Sequence, residues 1–337
     1  MIYPCLKINL SKVGQNCKLI NDRCARQGIS VVGVSKCVLA DLRIAEVFKE
    51  QGIDIFGDSR LKNIKKLFLH FGPGQKLMLL RTPMLSEIDE MVNICYVSMN
   101  TQEKTVSAIS QSCSKYGLTH RVIVMVETDD RREGLLPEEV PVFCNHIITR
   151  CPGIKLWGLG TNARCISKRK PTLKSTETLL RIKKDIEKKF SISIPVISGG
   201  NSSIWGLIGS GILPQGINQV RIGEAILLGH ETASYKPVEG AFRDSFVLEA
   251  EVIEIKRKDD KIYKIIIALG LQDVNCNNIT CVNDALGFLD QSSDHTVLEV
   301  NNGKVFEVGD IIRFRPDYFG LLACMTSPFV EKTYIKD

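Results

Sequence analysis

The sequence lacks the features that mark membrane-spanning and secreted proteins. None of its 337 residues belongs to an apolar run long enough to cross a bilayer, which takes about 18 residues. Residues 1–10 have neither the basic stretch nor the long apolar stretch of a signal peptide. We therefore expect a cytoplasmic protein that does not bind membranes.

The sequence also lacks the spacing of a metal site. It has twelve cysteines but no CxxC pair, and its five histidines do not cluster beside them. A tetrahedral zinc site normally has ligands in closer pairs, so no metal is predicted. In a reducing compartment, most of these cysteines are expected to be buried, small hydrophobic residues.

Charge of one sign is not concentrated anywhere. The 44 Lys and Arg residues are nearly balanced by 38 Asp and Glu residues, which leaves a formal charge of +6. The densest basic segments are 168–170 and 183–189, and the second is interrupted by Asp185 and Glu187. Nucleic-acid binding requires a sustained basic stripe, so no nucleic-acid partner is expected.

Short apolar segments alternate with helical patterns through the first two thirds of the chain. The segments predicted as strands are 31–34, 53–56, 76–80, 94–97, 121–126, 154–159, 194–197 and 219–222. This alternation predicts a parallel sheet with right-handed crossovers, and eight such units fit a (β/α)8 TIM barrel. An open doubly wound sheet is the alternative, but Ser35-Lys36-Cys37 after the first strand is not a glycine-rich fingerprint.

Beyond Thr232 the pattern changes to strands with almost no helical periodicity. The strands predicted there are 246–255, 263–269, 296–300 and 311–314, with turns at 259–260 and 301–303. The predicted fold class is therefore α/β, a TIM barrel followed by a C-terminal β domain. We assign residues 9–235 to the barrel, and residues 1–8 and 236–337 to the β domain.

Polar residues follow the seventh and eighth predicted strands, where a barrel carries its chemistry. Glycines in the segment 198–203 let the backbone approach an anion, and Ser202 and Ser203 add hydroxyl groups. Gly223 follows the eighth strand, and barrels often hold a phosphate in these two loops. A simple turn with a serine helix cap is the alternative.

Lys36 lies one residue past the first strand, where its amine would be partly desolvated. Such an amine is a candidate for forming a Schiff base, although a lysine that merely extends to the rim would look the same. A lysine and a phosphate site at one barrel mouth together fit pyridoxal 5'-phosphate (PLP), which offers an aldehyde to the lysine and a phosphate to the loops.

An ordered set of segments carries a family resemblance over nearly the whole chain. These segments are Val34–Lys36, Asp58–Asn63, Arg131–Gly134, Gly160–Asn162, Ser198–Ser203, Arg221–Ala225, Ser292–His295, Asp317–Tyr318 and Thr326–Ser327. Together they resemble the alanine racemase-type, or fold type III, PLP enzymes, and in particular their ornithine/amino-acid racemase branch.

The resemblance implies roles for individual residues. Lys36 would hold PLP and act as one acid/base, while Arg221 would face the pyridine nitrogen and disfavour its protonation. Arg132 would lie near the phenolic oxygen of the ring, and Asn162 would pack on the ring. The residues implied at or near the phosphate are Asn201, Ser202, Ser203, Gly223, Glu224 and Tyr318.

The sequence departs from the family pattern at the position of the second catalytic base. Alanine racemases proper use a tyrosine supplied by the partner subunit, and Leu271 occupies that position here. The candidates that remain are Cys165, Asp294 and His295. A thiol, a carboxylate or an imidazole can each transfer a proton when it is suitably placed.

The resemblance therefore implies a PLP-dependent racemase that interconverts L- and D-amino acids. Ornithine or lysine is the leading substrate, and Asp294 or Asp317 could bind its cationic side chain. A homodimer with shared active sites also follows from the family. The alternatives are a PLP-binding homeostasis protein without turnover and a PLP-dependent decarboxylase.

Overall fold

A computed structural model describes residues 2–128, 130, 132–258, 261–301 and 304–336. Strand β1 (Cys5–Asn9) leads into helix α1 (Leu10–Ala25), whose first turn is capped by the Asn9 side chain. The chain then enters eight strand–helix units. Their strands are β2 (Ser30–Val34), β3 (Ile55–Asp58), β4 (Lys76–Leu79), β5 (Val97–Asn100), β6 (His120–Met125), β7 (Ile154–Gly160), β8 (Val196–Ser198) and β9 (Gln219–Ile222).

One helix follows each of these strands. The helices are α2 (Leu42–Glu50), α3 (Leu61–Phe71), α4 (Ile88–Ile94), α5 (Glu103–Tyr116), α6 (Val140–Arg150), α7 (Leu173–Phe190), α8 (Trp205–Gly209) and α9 (Glu224–Leu228). Strands β2 to β9 pair in parallel in chain order and close on themselves, since β2 also pairs with β9. The predicted TIM barrel is confirmed. All eight strands end at one mouth, where a barrel carries its functional residues.

The barrel interior is filled by inward-facing apolar side chains, including Met78, Met99 and Ile123. Their neighbours along each strand point outward against the helices, as the alternation of side chains along a strand requires. The fourth predicted strand was wrong in position. Residues 94–97 were expected, but Ile94 ends α4, and β5 continues through outward-facing Ser98 and Asn100, whose polarity hid the strand from the apolar pattern.

The remaining strands form an antiparallel sheet beside the barrel. They are β10 (Phe246–Lys258), β11 (Lys261–Ile267), β12 (Ile279–Cys281), β13 (Leu286–Gln291), β14 (Thr296–Val300), β15 (Ile311–Pro316) and β16 (Glu331–Ile335). The first strand of the chain belongs to this sheet, because β1 pairs antiparallel with β10 and parallel with β16. The predicted C-terminal β domain is confirmed, while its boundaries at residues 8/9 and 235/236 stay predictions.

Several elements of the β domain were missed in the sequence. Strands β12, β13 and β16 were not predicted, and neither was helix α10 (Tyr318–Thr326). The sequence YFGLLACMT of α10 is apolar on every side, so it shows no helical periodicity. The turn predicted at 259–260 lies outside the described residues, as do Asn302 and Gly303 of the turn predicted at 301–303.

No helix within the described ranges is long and apolar enough to span a membrane. All twelve cysteines are free, and nine of them are buried. Burial raises the pKa of thiols such as Cys17 and Cys144 to about 12, so these side chains stay protonated and unreactive at neutral pH. Cys165 differs from them because it is exposed.

A buried imidazole joins two neighbouring strands of the barrel, β5 and β6. The Nε2 atom of His120 lies 2.8 Å from the Ser98 hydroxyl, and the Asn100 amide donates to the same hydroxyl at 2.9 Å. Burial lowers the pKa of His120 from 6.5 to about 4. The folded protein therefore holds this imidazole neutral at pH values where the unfolded chain protonates it.

We expect this imidazole to make the fold sensitive to acid. Its contribution to stability is complete above about pH 6.5 and is lost as the pH falls to about 4, a difference of about 3 kcal/mol. His120→Gln should lose less unfolding free energy than the wild type between pH 7 and pH 4.5, as measured by urea denaturation. His70→Gln, on the surface of α3, is the control. Equal losses in all three proteins would contradict the expectation.

Candidate functional site

Lys36 lies at the mouth of the barrel, directly beyond β2. It begins a single turn of 3-10 helix, residues 36–38, and is partly exposed. The next two residues, Leu39 and Ala40, have φ angles of 52° and 50°. Consecutive left-handed residues without glycine are uncommon, and they reverse the chain sharply after Lys36. The lysine therefore stands on a tight, sterically defined turn.

A buried carboxylate holds this turn. Asp58, at the end of β3, accepts hydrogen bonds from the Ser35 hydroxyl at 3.0 Å and the Asn63 amide at 3.1 Å. It also accepts the backbone N–H of Arg60 at 3.0 Å. Burial raises the pKa of Asp58, and these three donors compensate for part of the desolvation. The ends of β2 and β3 are thereby fixed relative to each other.

Arg221, on β9, brings a buried positive charge to the mouth. Its guanidinium donates to the Ser198 hydroxyl at 2.6 Å, the Ser198 carbonyl at 3.3 Å and the Thr161 carbonyl at 2.6 Å. Burial lowers the pKa of Arg221 to about 10, so the group is still charged at neutral pH. These three acceptors are neutral, so no acceptor in the described part of the chain neutralises the buried charge, which can therefore bind another polar group.

Gly223, directly after β9, lies against the end of β2. A Cβ atom on Gly223 would lie 2.7 Å from the Val34 carbonyl oxygen, so the two strands approach too closely for any side chain. Beside it, the Ser202 hydroxyl accepts the Ala225 N–H at 3.2 Å. Glu224 begins α9, and its carboxylate is 3.0 Å from the Nε2 atom of His230.

The β domain contributes Tyr318 to the same region. Tyr318 begins α10, and its carbonyl lies 3.4 Å from the thiol of Cys37, the neighbour of Lys36. Burial raises the pKa of the Tyr318 hydroxyl, which therefore stays protonated. The chain thus brings Lys36, Arg221, Gly223 and Tyr318 to one end of the barrel.

Five residues form a polar group that we call the rim cluster: Asp130, Arg132, Asn162, Cys165 and Asn201. The Cys165 sulfur accepts the amide N–H groups of Asn162 at 2.9 Å and Asn201 at 3.1 Å. The Asn201 amide also donates to the Asn162 side-chain oxygen at 2.9 Å and to the Ala163 carbonyl at 2.9 Å. The Ser203 hydroxyl donates to the same carbonyl at 3.3 Å. The rim cluster therefore joins the loops after β6, β7 and β8.

Asp130 was not singled out in the sequence. It is 2% exposed, and Arg132 lies beside it with 3.5 Å between Nε and the carboxylate. The available signal was its position in the charged segment that follows the apolar strand β6. Arg131, which belongs to one of the segments of the resemblance, lies outside the described residues.

Asp294 and His295 lie apart from the rim cluster, on a turn between β13 and β14. The Nδ1 atom of His295 is 2.8 Å from the Asp294 carboxylate, which also accepts the hydroxyls of Ser292 and Ser293. The His295 contact is the main reason that the pKa of Asp294 is lowered. Leu271 lies against the same turn, and its N–H donates to the Ser292 carbonyl at 3.0 Å. In the part of the chain that the structure describes, the hydrogen bonds of Asp294 and His295 stay within residues 292–295.

Comparison with known proteins decides the family. Residues 8–231 match the model of the alanine racemase N-terminal domain. The chain belongs to this family. It is 36% identical to a lysine racemase from Thermotoga maritima, over 99% of each chain. It is 33% identical to an ornithine racemase from Acetoanaerobium sticklandii, over 98% of this chain and 99% of that one.

A solved structure shows the same fold. The alanine racemase of Corynebacterium glutamicum superposes with a TM-score of 0.80 at 16% identity, over 99% of this chain and 100% of that one. The predicted family and the predicted fold class are confirmed. The predicted class of enzyme, an amino-acid racemase, is also confirmed by the family relatives.

The close approach at Gly223 gives a test of the mouth. We expect Gly223→Ala to destabilise the protein by about 1–3 kcal/mol, because the new Cβ collides with the Val34 backbone. Gly206→Ala on α8 is the matched control, since its Cβ would meet open space and alanine favours a helix. Urea unfolding measures both changes. Equal unfolding free energies for the two variants would refute the steric argument.

Proposed function

We propose that the protein racemises a basic amino acid, lysine or ornithine, with PLP held at the mouth of the barrel. The observation that carries this proposal is the buried guanidinium of Arg221, whose acceptors among the described residues are all neutral. On the neighbouring strand end, Lys36 supplies a primary amine. A fixed charge and an amine at one end of a barrel suit a cofactor that has both a ring nitrogen and an aldehyde.

The other residues at the mouth fit the same cofactor. Gly223 leaves backbone without a side chain at the end of β9, and the hydroxyls of Ser202 and Tyr318 lie at the same end of the barrel. We assign the phosphate to these groups together with Glu224, Asn201 and Ser203. When bound, PLP supplies an electron-withdrawing ring that makes the α-hydrogen of an amino acid acidic.

Racemisation needs proton transfer on both faces of the α-carbon, and we assign one face to Lys36. In the closed order of eight strands, two strands lie between β7 and β2 in one direction and four in the other. Cys165, beyond β7, therefore approaches the mouth from nearly the opposite side to Lys36. This placement favours Cys165 among the three candidates for the second base.

Asp294 and His295 remain candidates only in combination with the proposed homodimer. Their hydrogen bonds stay within one exposed turn of the β domain, so a role at the reacting carbon requires the mouth of a second copy. The three contacts of the Asp294 carboxylate are all at Oδ1 and the side chain is 64% exposed, so its Oδ2 can bind a cationic substrate side chain. Asp317 is less available, because its carboxylate accepts the Gly320 N–H and the Asn278 amide.

The two alternatives make different predictions about turnover. A PLP-binding homeostasis protein would show none, and a decarboxylase would release carbon dioxide. Alignment with two amino-acid racemases over 98–99% of this chain, β domain included, supports racemisation over a bare binding barrel. The cytoplasmic location stays a prediction.

A panel of L-amino acids tests the proposed function. Chiral chromatography should detect D-lysine or D-ornithine, with turnover highest for basic side chains. Intact cofactor absorbance without turnover would support the homeostasis alternative, whereas release of carbon dioxide would support decarboxylation. Either result would overturn the proposal.

Replacing the amine tests its assignment. Lys36→Ala should reduce turnover by about 100- to 10,000-fold, the range for loss of a positioned acid/base. Borohydride reduction followed by peptide mass spectrometry should find the cofactor on the Lys36 peptide in the wild type and on no peptide of the variant. Lys66→Ala is the control. This lysine is exposed and lies near the same turn, where its ammonium group donates to the Leu39 carbonyl. Cofactor attached elsewhere in the wild type would refute the role of Lys36.

A further inference from the structure

We infer that Asp130 is a positioning residue for the proposed racemisation, holding Cys165 and Arg132 at the mouth of the barrel. This inference rests on the proposed function. Among the described residues, the Asp130 carboxylate contacts Arg132, Asn162, Cys165 and Ile166 and does not bond to Lys36 or Arg221. Its influence on the reaction would pass through the other members of the rim cluster.

Asp130 uses both of its carboxylate oxygens. Oδ1 accepts the backbone N–H of Cys165 at 2.8 Å and the backbone N–H of Ile166 at 3.1 Å. Oδ2 accepts the Asn162 amide at 3.3 Å and lies 3.5 Å from the Arg132 guanidinium. A carboxylate has about four acceptor positions, and here four donors surround it.

The Asp130 carboxylate needs these donors because it is buried. A carboxylate that is 2% exposed costs several kcal/mol unless donors or an opposite charge replace its water. Three of the four donors belong to residues 162–166, on the loop after β7, while Asp130 belongs to the loop after β6. The two loops therefore cannot separate without leaving a buried charge unsatisfied.

Asp130 also sets the orientation of the Asn162 amide. Because a carboxylate only accepts, Asn162 must turn its NH2 group toward Asp130. The same NH2 group then donates to the Cys165 sulfur, and the Asn162 oxygen faces the Asn201 amide. The carboxylate thus fixes both the backbone of Cys165 and one of the two donors to its sulfur.

The experiment compares Asp130→Asn with a matched control. Glu231 is also a buried carboxylate, 6% exposed, that accepts backbone N–H groups, in its case from Ala233, Ser234 and Lys236. Glu231→Gln therefore reports the cost of weakening an equivalent loop tether outside the rim cluster. Both variants are measured as purified, cofactor-loaded protein.

Hydrogen exchange tests the tether without reference to activity. In Asp130→Asn, the amides of Cys165 and Ile166 should exchange at least about tenfold faster than in the wild type, because the charge-assisted bond is lost. In Glu231→Gln these amides should be unchanged, and those of Ala233 and Ser234 should exchange faster. Unchanged protection of Cys165 and Ile166 in Asp130→Asn would overturn the inference.

Steady-state kinetics test the functional part. Asp130→Asn should lower kcat by about 10- to 100-fold with less than a threefold change in KM, as expected when a reacting group is misplaced but substrate still binds. Glu231→Gln should change kcat by less than about threefold. Equal effects of the two variants would show that Asp130 is merely structural.

A double-mutant cycle separates positioning from general destabilisation. In a Cys165→Ser background, adding Asp130→Asn should cost less than about threefold in kcat, because the group it positions is already gone. Full additivity, or a Cys165→Ser variant with wild-type kcat, would overturn the inference while leaving the racemase proposal intact. A wild type without turnover would overturn both.

Discussion

The guanidinium of Arg221 is the interaction on which the mouth of the barrel depends. It is a buried cation on β9 that bonds to Ser198 on β8 and to the Thr161 carbonyl beyond β7. A movement of Ser198 or Thr161 would leave the buried guanidinium without its acceptors. The free-energy cost of that loss is far higher than the cost of breaking a surface contact. Asn162 directly follows Thr161, and Asn201 lies shortly after Ser198. The hydrogen bonds of Arg221 therefore help to fix the positions of these two members of the rim cluster.

Two buried carboxylates serve the two sides of the mouth in the same way. Asp58 joins the ends of β2 and β3 beside Lys36, and Asp130 joins the loops after β6 and β7 beside Cys165. In the closed order, β6 and β7 lie four strands from β2 and β3, which is directly across the barrel. Each carboxylate accepts hydrogen bonds from the chain in place of water. These bonds hold the residues next to Lys36 and the backbone of Cys165 in defined positions.

The barrel was predictable because its signals are local: eight apolar segments with helices between them specify it. Position after a strand singled out Lys36 and Ser202 as candidates for the site, whereas Arg221 was singled out by the family resemblance. Asp130 was missed because its partners are the backbone N–H groups of residues 35 and 36 positions away, which no pattern of residue types records. Helix α10 was missed because it is apolar on all sides. Strand β5 was predicted at the wrong residues because its outward-facing residues are polar.

The pairing of β1 determines when this strand can find its partners during synthesis. Cys5 and its neighbours lie between β10 and β16, and β16 begins only at Glu331. During synthesis at roughly 5–20 residues per second, this first strand waits tens of seconds for its second partner. Until β16 has been made, the edge of β1 that it covers stays without a strand partner, and such an edge can pair with other chains.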